Sequence, residues 1–170
     1  MFLDACKEYG VHDEFIKIVD GPSGHTVIQI DKNAQNSILL FGGANQKMTK
    51  EFIDDVLSHF TADDILLLQN EVNLLPYIVD TAYEKGMQIA LNPSPFNEKL
   101  EAVDMKKISI FLLNEVEGFQ LTGEKETEAI IAKLRELFPH ARIMLTLGKD
   151  GAVYVDEKQQ VFQPIFKVKA

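Results

Sequence analysis

The sequence predicts an α/β domain: a three-layer, doubly wound and mainly parallel sheet, with a small antiparallel β-lid near the N-terminus. Strand and helix patterns alternate over the last two thirds of the chain, which is typical of a parallel sheet. Turn residues separate short strands in the first third, which is typical of an antiparallel arrangement. The 170 residues are enough for one domain with a full hydrophobic core.

The first third of the chain predicts a helix and then the β-lid, residues 14–43. Met1–Tyr9 has a helical pattern, and Gly10 is its expected C-terminal stop. The lid is predicted as three short antiparallel strands: Phe15–Val19, Thr26–Ile30 and Ser37–Phe41. The turns between them are predicted at Asp20–Gly24 and Asp31–Asn33.

The pattern changes to alternating helices and strands after Gly42. Thr49 is the predicted N-cap of a helix that continues to Ser58. Ile65–Leu68 is a continuous apolar run, which is typical of a strand buried on both faces. Val72–Lys85 is predicted as a helix that ends at Gly86. The remaining predicted elements are the strands Met87–Leu91, Ile108–Leu112 and Arg142–Thr146, the helix Thr127–Phe138, and a closing hairpin of Ala152–Val155 and Gln160–Phe166.

Composition excludes several classes of function. A net charge of -9 disfavours nucleic acid, because phosphates attract a clustered basic face. No apolar run approaches the roughly 20 residues of a membrane span, so no membrane partner is expected. Cys6 is the single cysteine, which excludes an intramolecular disulfide framework. The N-terminus lacks the pattern of a secretory signal, so a cytoplasmic location is expected.

Polar residues follow the predicted strands of the sheet. Ligands of open α/β sheets bind beyond the carboxyl ends of the strands, so these residues are candidates for a small-molecule site. The polar segments that follow the strands are Gln69–Glu71, Asn92–Pro95, Asn114–Glu117 and Thr146–Gly151. We therefore expect them to converge at one rim of the sheet.

The segments FGGAN, LLQNE, LNPSP, LLNEVEGFQLTG and LTLGKDGAVY occur in an order that resembles the ribokinase-like (PfkB-type) carbohydrate kinases. The resemblance covers essentially the whole chain, and QNE, NPSP, NEVE and LTG are most similar to the ribokinases. It implies transfer of the γ-phosphoryl group of ATP to a hydroxyl of ribose or a related sugar. Magnesium is the implied cofactor, and a monovalent cation is a further cofactor of the family.

The resemblance places the sugar beside Glu71 and Gly43. In the family, a glutamate at the position of Glu71 contacts the sugar, and the stretch around Gly43 closes over it. Each residue also has a purely structural explanation. Glu71 is well placed as an acid near a helix N-terminus, and Gly43 as a glycine in a strand-to-helix connection.

The resemblance places the nucleotide beside Asn114, Thr146, Gly148 and Gly151, and Mg²⁺ beside Glu117. Asn114 and Glu117 also fit an ordinary helix-capping pattern, which is compatible with phosphate binding at a helix N-terminus. The two glycines also fit a plain hairpin turn.

The resemblance implies a catalytic aspartate in a GAGD-type segment beyond Ala170. The expectation is a single incomplete ribokinase-like domain over residues 1–170, without turnover by itself. Two other functions remain open: a non-catalytic nucleotide-binding module, or an interaction module that completes its sheet with another chain. Uncovered sheet edges favour a homodimer or other self-association.

Overall fold

The computed structural model describes residues 2–30, 32 and 36–166. It contains a six-stranded mixed sheet flanked by helices and a separate two-stranded antiparallel sheet near the N-terminus. The predicted fold class is therefore confirmed. Asp31 and Asn33 of the second predicted lid turn lie outside the described residues.

The element bounds agree closely with most of the predictions. The helices are α1 (Phe2–Glu8), α2 (Lys50–Ser58), α3 (Leu75–Glu84), α4 (Glu115–Thr122) and α5 (Thr127–Leu137). The strands are β1 (His25–Ile30), β2 (Asn36–Phe41), β3 (Ile65–Gln69), β4 (Gln88–Asn92), β5 (Ile110–Asn114), β6 (Arg142–Thr146), β7 (Ala152–Val155) and β8 (Gln160–Gln163). Short 3₁₀ helices cover Gly43–Gln46, Glu98–Ala102, Met105–Lys107 and Gly148–Asp150. The sequence did not predict the two 3₁₀ helices that lie between β4 and β5.

The large sheet has the order β3-β4-β5-β6-β7-β8, with parallel pairing from β3 to β6 and antiparallel pairing after β6. Parallel strands that follow one another in order, joined by right-handed crossovers, place their connecting helices on the same face. Ile89, Phe111 and Ile143 lie on that face and are fully buried in the core. The core therefore lies between the sheet and the layer of crossover helices.

The prediction that Ile65–Leu68 is buried on both faces is wrong. This run forms most of β3, which is one of the two edge strands of the large sheet. Leu68 faces the core at 8% exposure, whereas Ile65 and Leu67 are 59% and 67% exposed. Ile65 and Leu67 lie on the face opposite Leu68, and a continuous apolar run does not reveal whether both faces of a strand are covered by other layers.

The prediction of a strand at Phe15–Val19 is also wrong. A strand needs a hydrogen-bonded neighbour, and within the described residues β1 pairs only with β2. The ring of Phe15 packs instead against His59 and Phe60, with centroid distances of 5.0 and 5.5 Å. The segment is thus held by side-chain packing near the end of α2, and the sheet of the lid has two strands.

The helix predicted from Val72 begins only at Leu75. Leu74 adopts a left-handed conformation with φ of 59°, which a helix interior does not allow. The cap of α2 is as predicted, because Thr49 Oγ1 accepts a hydrogen bond from the Phe52 amide at 3.2 Å.

The closing hairpin is confirmed, but its second strand is shorter than predicted. β8 ends at Gln163 instead of Phe166. Pro164 follows it and has no amide hydrogen to donate to the strand ladder, so the proline is a sufficient reason for the early end.

Candidate functional site

The carboxyl ends of β3, β4, β5 and β6 lie along one rim of the large sheet. Gln69 is in register with Asn92, and Asn114 is in register with Thr146. Neighbouring strands are about 4.8 Å apart, so the ends of β3 and β5 are separated by roughly 10 Å. The structure thus brings together the polar strand ends, as predicted.

Asn114 and Glu117 form a reciprocal cap at the start of α4. Asn114 Oδ1 accepts a hydrogen bond from the Glu117 amide at 2.9 Å, and Glu117 Oε2 accepts one from the Asn114 amide at 2.8 Å. Glu117 is only 6% exposed. Its second carboxylate oxygen, Oε1, accepts no hydrogen bond from the described residues. The capping explanation is therefore correct, and it leaves one oxygen available to a ligand.

Thr146 lies beside Asn114 at the end of β6 and leads into the glycine loop. Its hydroxyl donates a hydrogen bond to the Leu113 carbonyl at 3.2 Å. Gly148 has a φ of +53°, and a Cβ added there would meet nothing within 4 Å. At Gly151, with φ of +124°, an added Cβ would lie 2.1 Å from the Gln163 carbonyl oxygen. Packing alone thus explains Gly151, whereas Gly148 faces open space.

Glu71 follows β3 and lines a cavity of about 470 Å³ beneath the lid. The Glu71 carbonyl accepts a hydrogen bond from Gln46 Nε2 at 2.6 Å. The Glu71 carboxylate has no hydrogen-bond partner among the described residues. The cavity wall includes His25, Phe41, Gly42, Asn70, Glu71 and Lys99. A free carboxylate therefore borders a partly polar cavity.

Gly43 has a packing role in the lid. Its φ is +49°, and an added Cβ would lie 2.5 Å from the Pro22 carbonyl oxygen. The same Pro22 carbonyl accepts a hydrogen bond from the Ala44 amide at 3.1 Å. Gly42, rather than Gly43, is among the cavity-lining residues. A contact between Gly43 and a substrate stays a prediction.

A larger cavity of about 640 Å³ surrounds the free edge of β3. Its lining is mainly apolar and includes Phe52, Leu57 and Leu66, although Glu71 also borders it. The smaller cavity has more polar groups near Glu71 than the larger one. Among the described residues, no helix is long and apolar enough to cross a lipid bilayer.

The chain has recognisable relatives among known proteins. The pfkB family of carbohydrate kinases matches the chain over residues 1–170. The chain belongs to this family. The deoxyribokinase of Salmonella typhimurium is a curated relative. It is 29% identical over 171 residues, which are 96% of this chain and 56% of that protein.

Two solved ribokinases have a similar structure. The Cryptococcus neoformans enzyme in complex with ADP is 28% identical with a TM-score of 0.81, over 98% of this chain and 58% of that one. The Arabidopsis thaliana enzyme complexed with ribose and ATP is 25% identical with a TM-score of 0.68, over 92% of this chain and 53% of that one. The chain thus spans about half the length of these three proteins.

Sequence reasoning missed Gln46 and Asn73. Gln46 contacts the Glu71 carbonyl, and Asn73 hydrogen-bonds to the segment that leaves the lid. The sequence offered one signal for these two residues, which is that each lies in a short segment beside a predicted site residue. Amide side chains in loops are too common for that signal to select them.

Proposed function

We propose that this chain forms the nucleotide side and part of the sugar side of an ATP-dependent sugar kinase. The reaction is transfer of the γ-phosphoryl group to a hydroxyl of ribose or a related sugar. One observation carries the proposal: Asn114, Glu117 and Thr146 lie at the adjacent ends of β5 and β6. Glu71 follows β3 at roughly 10 Å along the same rim. The ADP complex and the ribose–ATP complex of the two ribokinases support it.

Asn114, Thr146, Gly148 and Gly151 are the proposed nucleotide-binding residues. Asn114 is the N-cap of α4, and the amide groups at a helix N-terminus favour a phosphate group. Thr146 continues into a loop where Gly148 leaves open space for a ligand. Phosphoryl transfer depends mainly on positioning and on charge stabilisation, and these residues would supply the positioning.

Glu117 is the proposed contact for Mg²⁺. Magnesium dehydrates reluctantly and is usually bound by one or two carboxylates together with substrate phosphates and water. The described residues contain no cluster of three His, Cys, Asp or Glu that could hold a metal by itself. The unpaired Oε1 of Glu117 fits a contact through water, and the ion would neutralise charge on the phosphates. We assign no residue to a monovalent cation.

Glu71 is the proposed sugar-binding residue, with Gly43 as part of the segment that closes over the sugar. A carboxylate can accept hydrogen bonds from two neighbouring hydroxyls, and each such bond contributes roughly 1.5–3 kcal/mol. The free carboxylate and the cavity of about 470 Å³ support this role. A sugar at Glu71 and a nucleotide at Asn114 would meet along the rim between them.

Nucleotide binding is tested by calorimetry with ATP and Mg²⁺. We expect saturable binding that Asn114→Ala weakens about tenfold, because the variant removes a polar group at the phosphate site and disturbs the orientation of Glu117. Gln120→Ala, on an exposed part of the same helix, is the matched control and should bind like the unchanged chain. Equal affinity for both variants would contradict the assignment of Asn114.

We expect no turnover from this chain alone. The rim residues proposed above bind nucleotide, Mg²⁺ or sugar, and none of them is proposed as the base that takes the hydroxyl proton. A positioned base contributes roughly 10²–10⁴-fold to a rate. An ADP-release assay with ribose and related sugars checks this expectation. Clear turnover that Asn114→Ala abolishes would overturn it.

A second candidate function is a nucleotide-binding or sheet-completing interaction module without catalysis. The exposed Ile65 and Leu67 on edge strand β3 favour it, as do exposed apolar side chains on the lid, such as Ile30 and Leu39. Such surfaces also favour a homodimer or other self-association. Sedimentation would detect this, and a clean monomer over a wide concentration range would contradict it.

A further inference from the structure

Residues 70–73, the segment that carries Glu71, are tied to two other loops. The segment leaves β3 at the rim and precedes α3. On one side it is hydrogen-bonded to the loop after β4, and on the other side to the residues that leave the lid. A loop with this many tertiary hydrogen bonds is expected to be more ordered than an ordinary surface connection.

Asn70 holds the segment to the loop after β4. Its amide nitrogen donates to the Ser94 carbonyl at 3.1 Å. Its side-chain Nδ2 donates to the Pro95 carbonyl at 2.7 Å and to Asn97 Oδ1 at 3.1 Å. Asn70 is 5% exposed, so these bonds are largely shielded from water. We call the hydrogen bonds of Asn70, Asn73 and Gln46 that hold residues 70–73 the clamp. The Asn70 side of the clamp fixes the chain immediately before Glu71.

Asn73 holds the segment to the residues that leave the lid. Its Oδ1 accepts from the Met48 amide at 2.9 Å, and its Nδ2 donates to the Met48 carbonyl at 2.8 Å. The Asn73 amide donates to the Asn45 carbonyl at 3.2 Å. One asparagine thus pairs both backbone groups of Met48. With the Gln46 bond to the Glu71 carbonyl, this side fixes the chain at and after Glu71.

Leu74 adds a second sign that the segment is held in one conformation. Its φ of 59° is unusual for a residue with a side chain and is unfavourable, so the surroundings must enforce it. Within this segment Asn70 Oδ1 is buried without a hydrogen-bond partner, and the Glu71 carboxylate is the charged group without one among the described residues. A rigid backbone with one free charged group is the arrangement expected of a preorganised ligand contact.

We infer that Asn73 is a positioning residue, which fixes the backbone of Glu71 and couples it to the segment that leaves the lid. The inference rests on the proposed function for its consequence, because the value of a fixed Glu71 lies in sugar binding. Its physical basis, the pair of hydrogen bonds between the Asn73 side chain and the Met48 backbone, is independent of any sugar.

The experiment combines a ligand-free and a ligand-bound measurement on Asn73→Ala, Asn73→Asp and the control Gln120→Ala. Nuclear magnetic relaxation gives the order parameter of the Glu71 amide. We expect about 0.85 in the unchanged chain and the control, and below about 0.6 in Asn73→Ala. Asn73→Asp keeps the acceptor for the Met48 amide but loses the donor for its carbonyl. It should therefore give an intermediate value.

Calorimetry then separates positioning from a general loss of structure. For Asn73→Ala we expect ribose affinity to fall about tenfold and ATP affinity to change less than about twofold. An unchanged Glu71 order parameter, or an equal loss of ribose and ATP affinity, would overturn the positioning role. If the unchanged chain binds no ribose while Asn73→Ala loosens Glu71, the proposed sugar side fails and the clamp stands.

Discussion

The proposed nucleotide side and the proposed sugar side of the rim are built in different ways. Asn114 and Thr146 end two adjacent strands inside the sheet, and Glu117 is buried in a reciprocal helix cap. Glu71 follows an edge strand and is held by side-chain hydrogen bonds between loops. Secondary structure thus orders the nucleotide side, whereas tertiary contacts order the sugar side. Local opening should be easier on the sugar side.

The largest expected effect is a difference in stability between substitutions at the two glycines of the loop after β6. Gly151→Ala should lower the free energy of unfolding by roughly 2–5 kcal/mol, because the new Cβ collides with backbone and φ is positive. Gly148→Ala is the matched control, with positive φ but open space, and should cost about 1–2 kcal/mol. Chemical denaturation measures both. Equal losses would show that steric contact does not distinguish the two positions.

The next effect concerns the edge strand on the sugar side. Leu68→Ala should cost roughly 2–5 kcal/mol because Leu68 is in the core, and Leu67→Ala less than about 0.5 kcal/mol because Leu67 is 67% exposed. Both unfolding free energies are measured by denaturation at several protein concentrations. Similar costs at the two positions would mean that the face of β3 that carries Leu67 is covered in solution.

A smaller effect separates capping from metal binding at Glu117. Glu117→Gln keeps an acceptor for the Asn114 amide, so the free energy of unfolding should change by less than about 1 kcal/mol. The loss of charge should weaken ATP binding about tenfold with Mg²⁺ present. Calorimetry with Mg²⁺ and with a chelator makes the comparison. The same loss of affinity with the chelator would count against a metal contact.

The smallest effect lies away from the rim. Hydrogen bonds from the Lys158 amide, the Tyr154 hydroxyl and the Gln159 amide lower the pKa of Asp156. The lowered pKa stabilises the fold at pH values above the pKa that Asp156 has in the unfolded chain. This stabilisation is lost as the pH falls through the pKa that Asp156 has in the folded chain. Asp156→Asn should lower the melting temperature slightly at pH 7, and the difference should shrink below about pH 4. A difference that is constant with pH, or a change in ATP affinity, would be inconsistent with this.

The sequence predicted the capping contact between Asn114 and Glu117 but not the contact between Gln46 and Glu71, and the reason is physical. Asn114 and Glu117 are three residues apart, so helix geometry fixes their contact locally. The contact from Gln46 to Glu71 spans 25 positions and depends on how loops meet. No local pattern specifies such a contact, and for that reason the clamp was missed.

The incorrect strand predictions have the same origin. Phe15–Val19 has the residue types of a strand, but pairing partners are decided by the tertiary fold. The run at Ile65 is apolar enough for a strand buried on both faces, but whether the second face is covered is decided by the tertiary fold. Helix caps and glycine stops, which depend on neighbours in sequence, were placed correctly at Thr49 and Gly86.

The most direct test of the account is amide hydrogen exchange with and without ATP and Mg²⁺. We predict slower exchange at residues 114–117 and 146–151 when the nucleotide is present, and little change in α5. Ribose added alone should slow exchange near Glu71 instead. No protection at the ends of β5 and β6, or protection confined to another part of the chain, would contradict a nucleotide site at this rim.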